Sequence, residues 1–226
     1  MKNFVRIALV CLMLVLFASV SMGYERSETL VYGGGLWETP SNWNPLTPWA
    51  EVTGTGGLVY ETLFHFYPMT GEYQPWLASS GKWISNNTYE IELRKGIKWT
   101  DGQAFDAEDV KFTFEIAKKN RLHYSNVWDW IKEIKIINPH KLQFVFKNPH
   151  YQEWELIIYD LRIIPEHIWG KIPASELLTT ANKNPVGTGA YMAEFVGQDR
   201  MVWVRNENWW GNKVFGEPQP KYLVNL

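Results

Sequence analysis

The chain has 226 residues, of which 46% are hydrophobic and 15% aromatic, with 13 Trp and a net charge of −2 at pH 7. A near-neutral balance with no long run of either sign excludes the electrostatic footprint of a nucleic-acid or anionic-membrane binder, so no nucleic-acid partner is expected. The single Cys, Cys11, lies in the leading segment, so the rest of the chain has no thiol and must be held by its apolar core.

Residues 1–23 are laid out as a secretory signal peptide. Lys2 and Arg6 precede an apolar run over 7–20, and Ser21 and Gly23 are small residues suited to cleavage before Tyr24. The run is short for a membrane span. A secreted protein is expected, in the periplasm or on the outer face of the cell membrane. Thr29 to Tyr32 reads as a short strand ending in Gly33, Gly34 and Gly35. "GLWETPSNWNPLTPW", residues 35–49, then sets Trp37, Trp43 and Trp49 six residues apart among Pro40, Pro45 and Pro48, with Asn42 and Asn44 beside the second Trp. Prolines and Asn at that density rule out a regular helix or a central strand. Leu58, Val59, Leu63 and Phe64 stand at helical spacing and predict a short helix around 58–66.

"TYEIELRKG" alternates Tyr89, Ile91 and Leu93 with Glu90, Glu92 and Arg94, the pattern of a half-buried strand. Asp101-Gly102 then predicts a turn, and Asp106 an N-cap. Glu108 and Asp109 put negative charge in the first helical turn, and Lys118 and Lys119 positive charge in the last. Val110, Phe114 and Ala117 form the apolar stripe of that helix, with Phe112 and Ile116 beside it. "IKEIKIINPHKLQFVFKNPH" reads as two strands turning at Asn138-Pro139, with Leu142, Phe144 and Phe146 on one face. "LRIIPEHIWGKI" predicts a strand stopped by Pro165 and then a short helix. "NPVGTGAYMAEFVGQDRMVWVRNENWWG" reads as a turn and two strands, and "PQPKYLVNL" begins a further strand at Tyr222 that looks cut in mid-element. Strands and helices without strict alternation give a mixed α/β (α+β) class.

Catalytic and metal chemistry find little support. The acids Asp101, Asp106, Glu108 and Asp109 do not follow a calcium-loop spacing, and each has a local role as turn or cap. The five His show no pair at metal-ligand spacing, and neither Gly cluster continues as a phosphate loop. There is no nucleophile elbow, and Glu153 with Glu155 is the sort of carboxylate pair any acidic protein offers. Neither enzymatic activity nor a metal or cofactor is expected. The aromatics remain: Trp83, Trp99, Trp203, Trp209 and Trp210 sit in or beside regular elements and read as framework. Trp rings fixed on an irregular loop suit stacking on the C–H face of a pyranose, with Asn42 and Asn44 to pair its hydroxyls. Trp37, Asn42, Trp43, Asn44, Trp49 and Trp128 are the candidate ligand contacts, Trp128 and Trp130 offering a second platform. Core packing is the competing reading for the loop Trp.

Four stretches, "GLVYETLF", "YEIELRKGIKWTDGQAFDAEDVKFTFE", "IIPEHIW" and "NPVGTGAY" followed by "RNENWW", give the chain its resemblance to family 5 extracellular solute-binding proteins. This is the oligopeptide- and dipeptide-binding class of ABC importers, including its oligosaccharide-binding members. The resemblance implies a periplasmic-binding-protein-like two-lobed clamp, here truncated to most of the N-terminal lobe. It implies a first-lobe sheet domain from 24–50 and 185–226, a smaller α+β subdomain at 51–184, and an absent second lobe. It implies an ABC permease as membrane partner and a full-length monomer. The ligand expected from the aromatics is a short oligosaccharide, a β-linked gluco- or manno-oligosaccharide. The alternatives are an oligopeptide and, in a different class, a secreted carbohydrate-active enzyme or carbohydrate-binding module.

Overall fold

The structure is a computed structural model and describes residues 23–33, 43–47, 55–120, 122–196 and 200–226. The expected signal segment up to residue 22, and Trp37, Asn42 and Trp49, lie outside the described residues. Among those described, ten strands and five α-helices follow in chain order. They are β1 (Thr29–Tyr32), α1 (Thr55–Leu58), β2 (Phe64–Tyr67), β3 (Glu72–Pro75), β4 (Ala78–Ser85), β5 (Thr88–Leu93) and α2 (Ala107–Asn120). Then come β6 (Ile131–Asn138), β7 (Lys141–Phe146), α3 (Tyr151–Asp160), α4 (Glu166–Trp169), β8 (Tyr191–Val196), β9 (Met201–Arg205), α5 (Asn212–Phe215) and β10 (Tyr222–Asn225). None of these helices is long and apolar enough to cross a membrane.

The best-specified stretch of sequence builds the larger core. β4-β5-β7-β6 is an antiparallel sheet in that order. Alternation along β5 and β7 buries Tyr89, Ile91, Leu93, Leu142, Phe144 and Phe146 on one face. Helices α2 and α3 cover that face: Phe114 meets Phe144 at 4.9 Å between ring centroids, and Trp154 meets Phe144 at 4.5 Å and Phe146 at 5.2 Å. The start of α2 is a reciprocal cap, in which Asp106 Oδ1 accepts from Glu108 N–H at 2.8 Å and Asp109 Oδ2 accepts from Asp106 N–H at 3.2 Å. Asp109 does more than the expected charge placement. It is 5% exposed, and also accepts from Trp99 Nε1–H at 3.1 Å and from Glu166 N–H at 2.9 Å, which ties the turn before α2 to the start of α4.

The second sheet has the order β1-β10-β9-β8, with β1 parallel to β10 and the other pairs antiparallel. The run at Tyr222 is therefore a strand with a partner on each side. β1 stands at the edge, and Leu30, Val31 and Tyr32 are 51%, 43% and 37% exposed. Two expectations are corrected, of which one is the strand expected before Pro165, reduced to an isolated bridge between Arg162 and Thr62. The helix expected over 58–66 is a single turn at Thr55–Leu58, after which Phe64–Tyr67 is a strand paired with β3. α3 at Tyr151–Asp160 is absent from the sequence reading, and it leaves Glu153 and Glu155 exposed two positions apart, where helical side chains do not face each other.

Candidate functional site

Glu61 follows α1 in a segment fixed from both sides. Ile163 N–H donates to the Glu61 carbonyl at 2.9 Å, and Gly189 N–H donates to the Val59 carbonyl at 2.9 Å. The glycines of "NPVGTGAY" make that approach possible, because a Cβ at Gly187 or Gly189 would collide with the carbonyl oxygens of Val59 and Leu58. The Glu61 side chain is 2% exposed and accepts three indole N–H groups: Trp76 Nε1 at 2.8 Å and Trp209 Nε1 at 3.0 Å on Oε1, and Trp210 Nε1 at 2.8 Å on Oε2. Burial pushes the carboxyl up from the ordinary 4.5 to about 7, while the bonds from Trp210, Trp76 and Trp209 hold it down.

Around this carboxyl the rings form one wall. Phe215 of α5 stacks on Trp76 at 4.4 Å with an interplanar angle of 10°, and Trp209 and Trp210 stand 5.6 Å apart. Gly211 is required behind Trp209, whose ring would occupy the place of a Cβ. The Arg94 guanidinium lies 5.4 Å over Trp210 and 5.7 Å over Phe215, and its Nε–H and Nη2–H donate to the Trp76 and Pro75 carbonyls at 2.6 and 3.0 Å. Two open clefts flank the wall. One of about 770 Å³ has Arg94, Lys95, His140, Lys141 and Lys213 along it, and the other, about 680 Å³, has Lys98, Arg205 and Glu207. Trp210, Asn208 and Gly96 line both. Half-buried Trp210 is thus the ring that stands between them. The cations are partly neutralised, since Lys141 pairs with Glu92 at 2.7 Å and Arg205 with Glu217 at 2.7 Å. The arrangement offers ring faces, a side-chain amide and a few charges at the mouth of a cleft. Its chemistry is non-covalent capture. Among the described residues no three His, Cys, Asp or Glu cluster to hold a metal ion.

Of the residues expected to bind ligand, Trp43, Asn44 and Trp128 are described, and none of the three lines either cleft. Trp43 is 4% exposed and meets Trp203 edge-on at 5.9 Å. Asn44 is 0% exposed; its Nδ2 donates to the Leu177 and Thr180 carbonyls at 2.6 and 3.1 Å, and its Oδ1 accepts from Leu46 N–H at 2.9 Å. The Asn44 side chain and the Trp43 backbone, whose N–H donates to the Ala181 carbonyl at 3.0 Å and whose carbonyl accepts from Asn182 Nδ2 at 2.8 Å, fasten the loop to the 177–182 segment. Trp128 donates its Nε1–H to the Phe114 carbonyl at 2.8 Å, and Lys118 lies over one face of its ring at 4.3 Å. Trp130 stacks on His150 at 5.4 Å. Burial therefore makes Trp43 and Asn44 packing residues, a correction to the sequence reading, whereas Trp128 is half-buried. Conversely, Trp210 reads as framework in sequence but lines both clefts. Trp76 and Glu61 carry no sequence signal of their own beyond residue type.

The comparisons with known proteins agree on the fold. A protein of Thermotoga maritima, solved as an oligopeptide ABC transporter periplasmic oligopeptide-binding protein with mannohexaose bound, superposes with a TM-score of 0.87 at 49% identity. The match covers 90% of this chain and 38% of that one. The oligopeptide-binding protein of Bacillus subtilis, solved with a nonapeptide, superposes with a TM-score of 0.75 at 21% identity, covering 87% and 39%. The nickel-binding periplasmic protein of Escherichia coli is 29% identical over 186 residues, which are 77% of this chain and 34% of that protein. The chain thus spans between a quarter and a half of the length of the relatives it matches. Residues 72–224, well over half of it, match the family described as bacterial extracellular solute-binding proteins, family 5 Middle. Together with the paired sheets and the aromatic wall, that match means that the chain belongs to the family 5 bacterial extracellular solute-binding proteins.

Proposed function

We propose that the chain is part of the substrate-binding component of an ABC importer and that the ligand is a short β-linked gluco- or manno-oligosaccharide, captured without chemistry. The observation that carries the ligand class is the likeness to the Thermotoga maritima protein. Identity there is 49% over nine-tenths of this chain, against 21% for the neighbour solved with a nonapeptide. Trp209 and Trp210 on the cleft, with Asn208 beside them, support it, because a flat ring edged by an amide suits a pyranose face with hydroxyls at its rim. Trp37, Asn42, Trp49 and half-buried Trp128 remain proposed ligand contacts, an ABC permease the proposed partner, and a monomer the proposed state of the full-length protein. The proposed division is a first-lobe unit of 24–50 and 185–226, supported by the β1-β10-β9-β8 sheet, and a smaller unit of 51–184 around the β4-β5-β7-β6 sheet.

Peptide capture is the second reading, favoured by the 28% identity to the Escherichia coli dipeptide-binding protein over 88% of this chain. Calorimetric titration with mannohexaose, cellohexaose and a mixed peptide library separates the two. The oligosaccharide reading expects saturable heat with a hexaose, weakened at least tenfold in Trp210→Ala. Heat with peptides and none with either sugar overturns it.

A further inference from the structure

Among the described residues, the carboxyl of Glu61 is the only acceptor of three indole N–H groups, drawn from two distant parts of the chain. Its two oxygens are unequally loaded: Oε1 takes Trp76 and Trp209, whereas Oε2 takes Trp210 alone. A proton therefore adds to Oε2, where it displaces one donor rather than two. A neutral hydroxyl is a weaker acceptor than a carboxylate oxygen, so the bond that fails is the one to Trp210. The Thr188 hydroxyl, in a residue 1% exposed, also favours the charged carboxyl and makes no other hydrogen bond among the described residues.

We propose that Glu61 is the positioning residue of the aromatic wall and a proton-operated latch on Trp210: the carboxylate holds the indole between the two clefts, and protonation releases it.

Several charged or titratable groups face this cluster. Arg94 lies over Trp210 and Phe215, Lys213 lies beside Trp209 and Trp210 on the first cleft, and His65 meets the Trp76 ring at 5.3 Å. Burial lowers the Arg94 guanidinium from its ordinary value, and His65, in ring contact with Trp76, is separated from the latch by substitution. Burial raises the Glu61 carboxyl to about 7, which brings release within reach of mild acidification. The latch is a property of the chain itself and does not depend on the ligand class proposed above.

The test follows the indole N–H resonances of the protein between about pH 8 and about pH 5. Trp210 is assigned by the loss of its signal in Trp210→Phe, and Trp128, held by a backbone carbonyl, serves as a reference that should not titrate. Acidification should move the Trp210 N–H signal upfield and speed its exchange with solvent, with both changes retained in His65→Gln and lost in Glu61→Gln. A Trp210 signal that stays fixed overturns the proposal, as does a transition that survives in Glu61→Gln or vanishes in His65→Gln. If Glu61→Gln fails to fold, wild type and His65→Gln decide the matter between them.

Discussion

The helix-covered face of the β4-β5-β7-β6 sheet and the junction around Glu61 both bury several aromatic rings, but by different physics. In the sheet, Tyr89, Phe114, Phe144, Phe146 and Trp154 interlock edge to face or tilted with no charged group among them, and the gain is area removed from water. At the junction, Trp76, Trp209 and Trp210 are arranged by where their N–H groups point, because one buried carboxylate must be satisfied. The first region should tolerate any apolar side chain of similar volume. The second should tolerate none that lacks an acceptor, and it alone should sense pH. A packed core and an oriented wall thus use the same residue types for different ends.

The largest expected effect lies in the first region. Trp154→Ala removes a side chain 0% exposed and should cost about 3–5 kcal/mol in urea unfolding, equally at all pH values, whereas Phe144→Leu should cost less than about 1.5 kcal/mol. A strong pH dependence of the Trp154→Ala loss would blur the distinction between the two regions.

Glu61→Leu is the counterpart. It strands three donors, of which only Trp209 is closed off from solvent, so a loss of about 2–4 kcal/mol is expected from the per-donor cost. That loss should vary with pH, and the sign is fixed. The folded carboxyl titrates at about 7, above its ordinary 4.5, so the folded state holds the proton more tightly than the unfolded chain. Its contribution is full below 4.5 and is lost as pH rises through about 7. At roughly 1.4 kcal/mol for each tenfold difference in proton affinity between the two states, wild type should lose a few kcal/mol more than Glu61→Leu over that window. Parallel curves for the two proteins would refute the assignment.

Smaller effects sharpen the picture further out. Asn44→Ala leaves the Leu177 carbonyl buried without its side-chain donor and should cost about 1–3 kcal/mol with unchanged ligand affinity, which separates fastening of the loop from contact with ligand. A reduction of sugar binding without loss of stability would return Asn44 to the binding surface. Lys111→Ala, which removes the long 3.9 Å ion pair with Glu115 on the outer face of α2, should cost no more than about 0.5 kcal/mol.

What can be read from sequence follows the same division. The capped α2, the alternating β5 and the β6–β7 hairpin declare themselves within a dozen residues, and each forms where expected. β2 reads as helix because Leu63 and Phe64 continue a helical spacing from Leu58, and only pairing with β3 decides for a strand. The importance of Glu61 is invisible in sequence for a different reason. Its three partners lie 15, 148 and 149 residues away, so no local pattern marks it, and Trp209 and Trp210 look like framework until the fold brings the carboxyl beneath them. The loop Trp stretch is the opposite case: Trp43 and Asn44 look functional by being irregular, yet long-range contacts to Trp203, Leu177 and Thr180 make them structural.

The most direct measurement is to record the indole N–H spectrum of the protein during titration with mannohexaose, and separately with a nonapeptide. If the Glu61 wall is the capturing surface, the Trp210 signal and those of Trp76 and Trp209 should shift in a saturable way with the sugar, while the signals of Trp99 and Trp154 in the packed core stay in place. Sugar-induced shifts that bypass Trp210, or shifts of the wall with the peptide alone, would contradict the account.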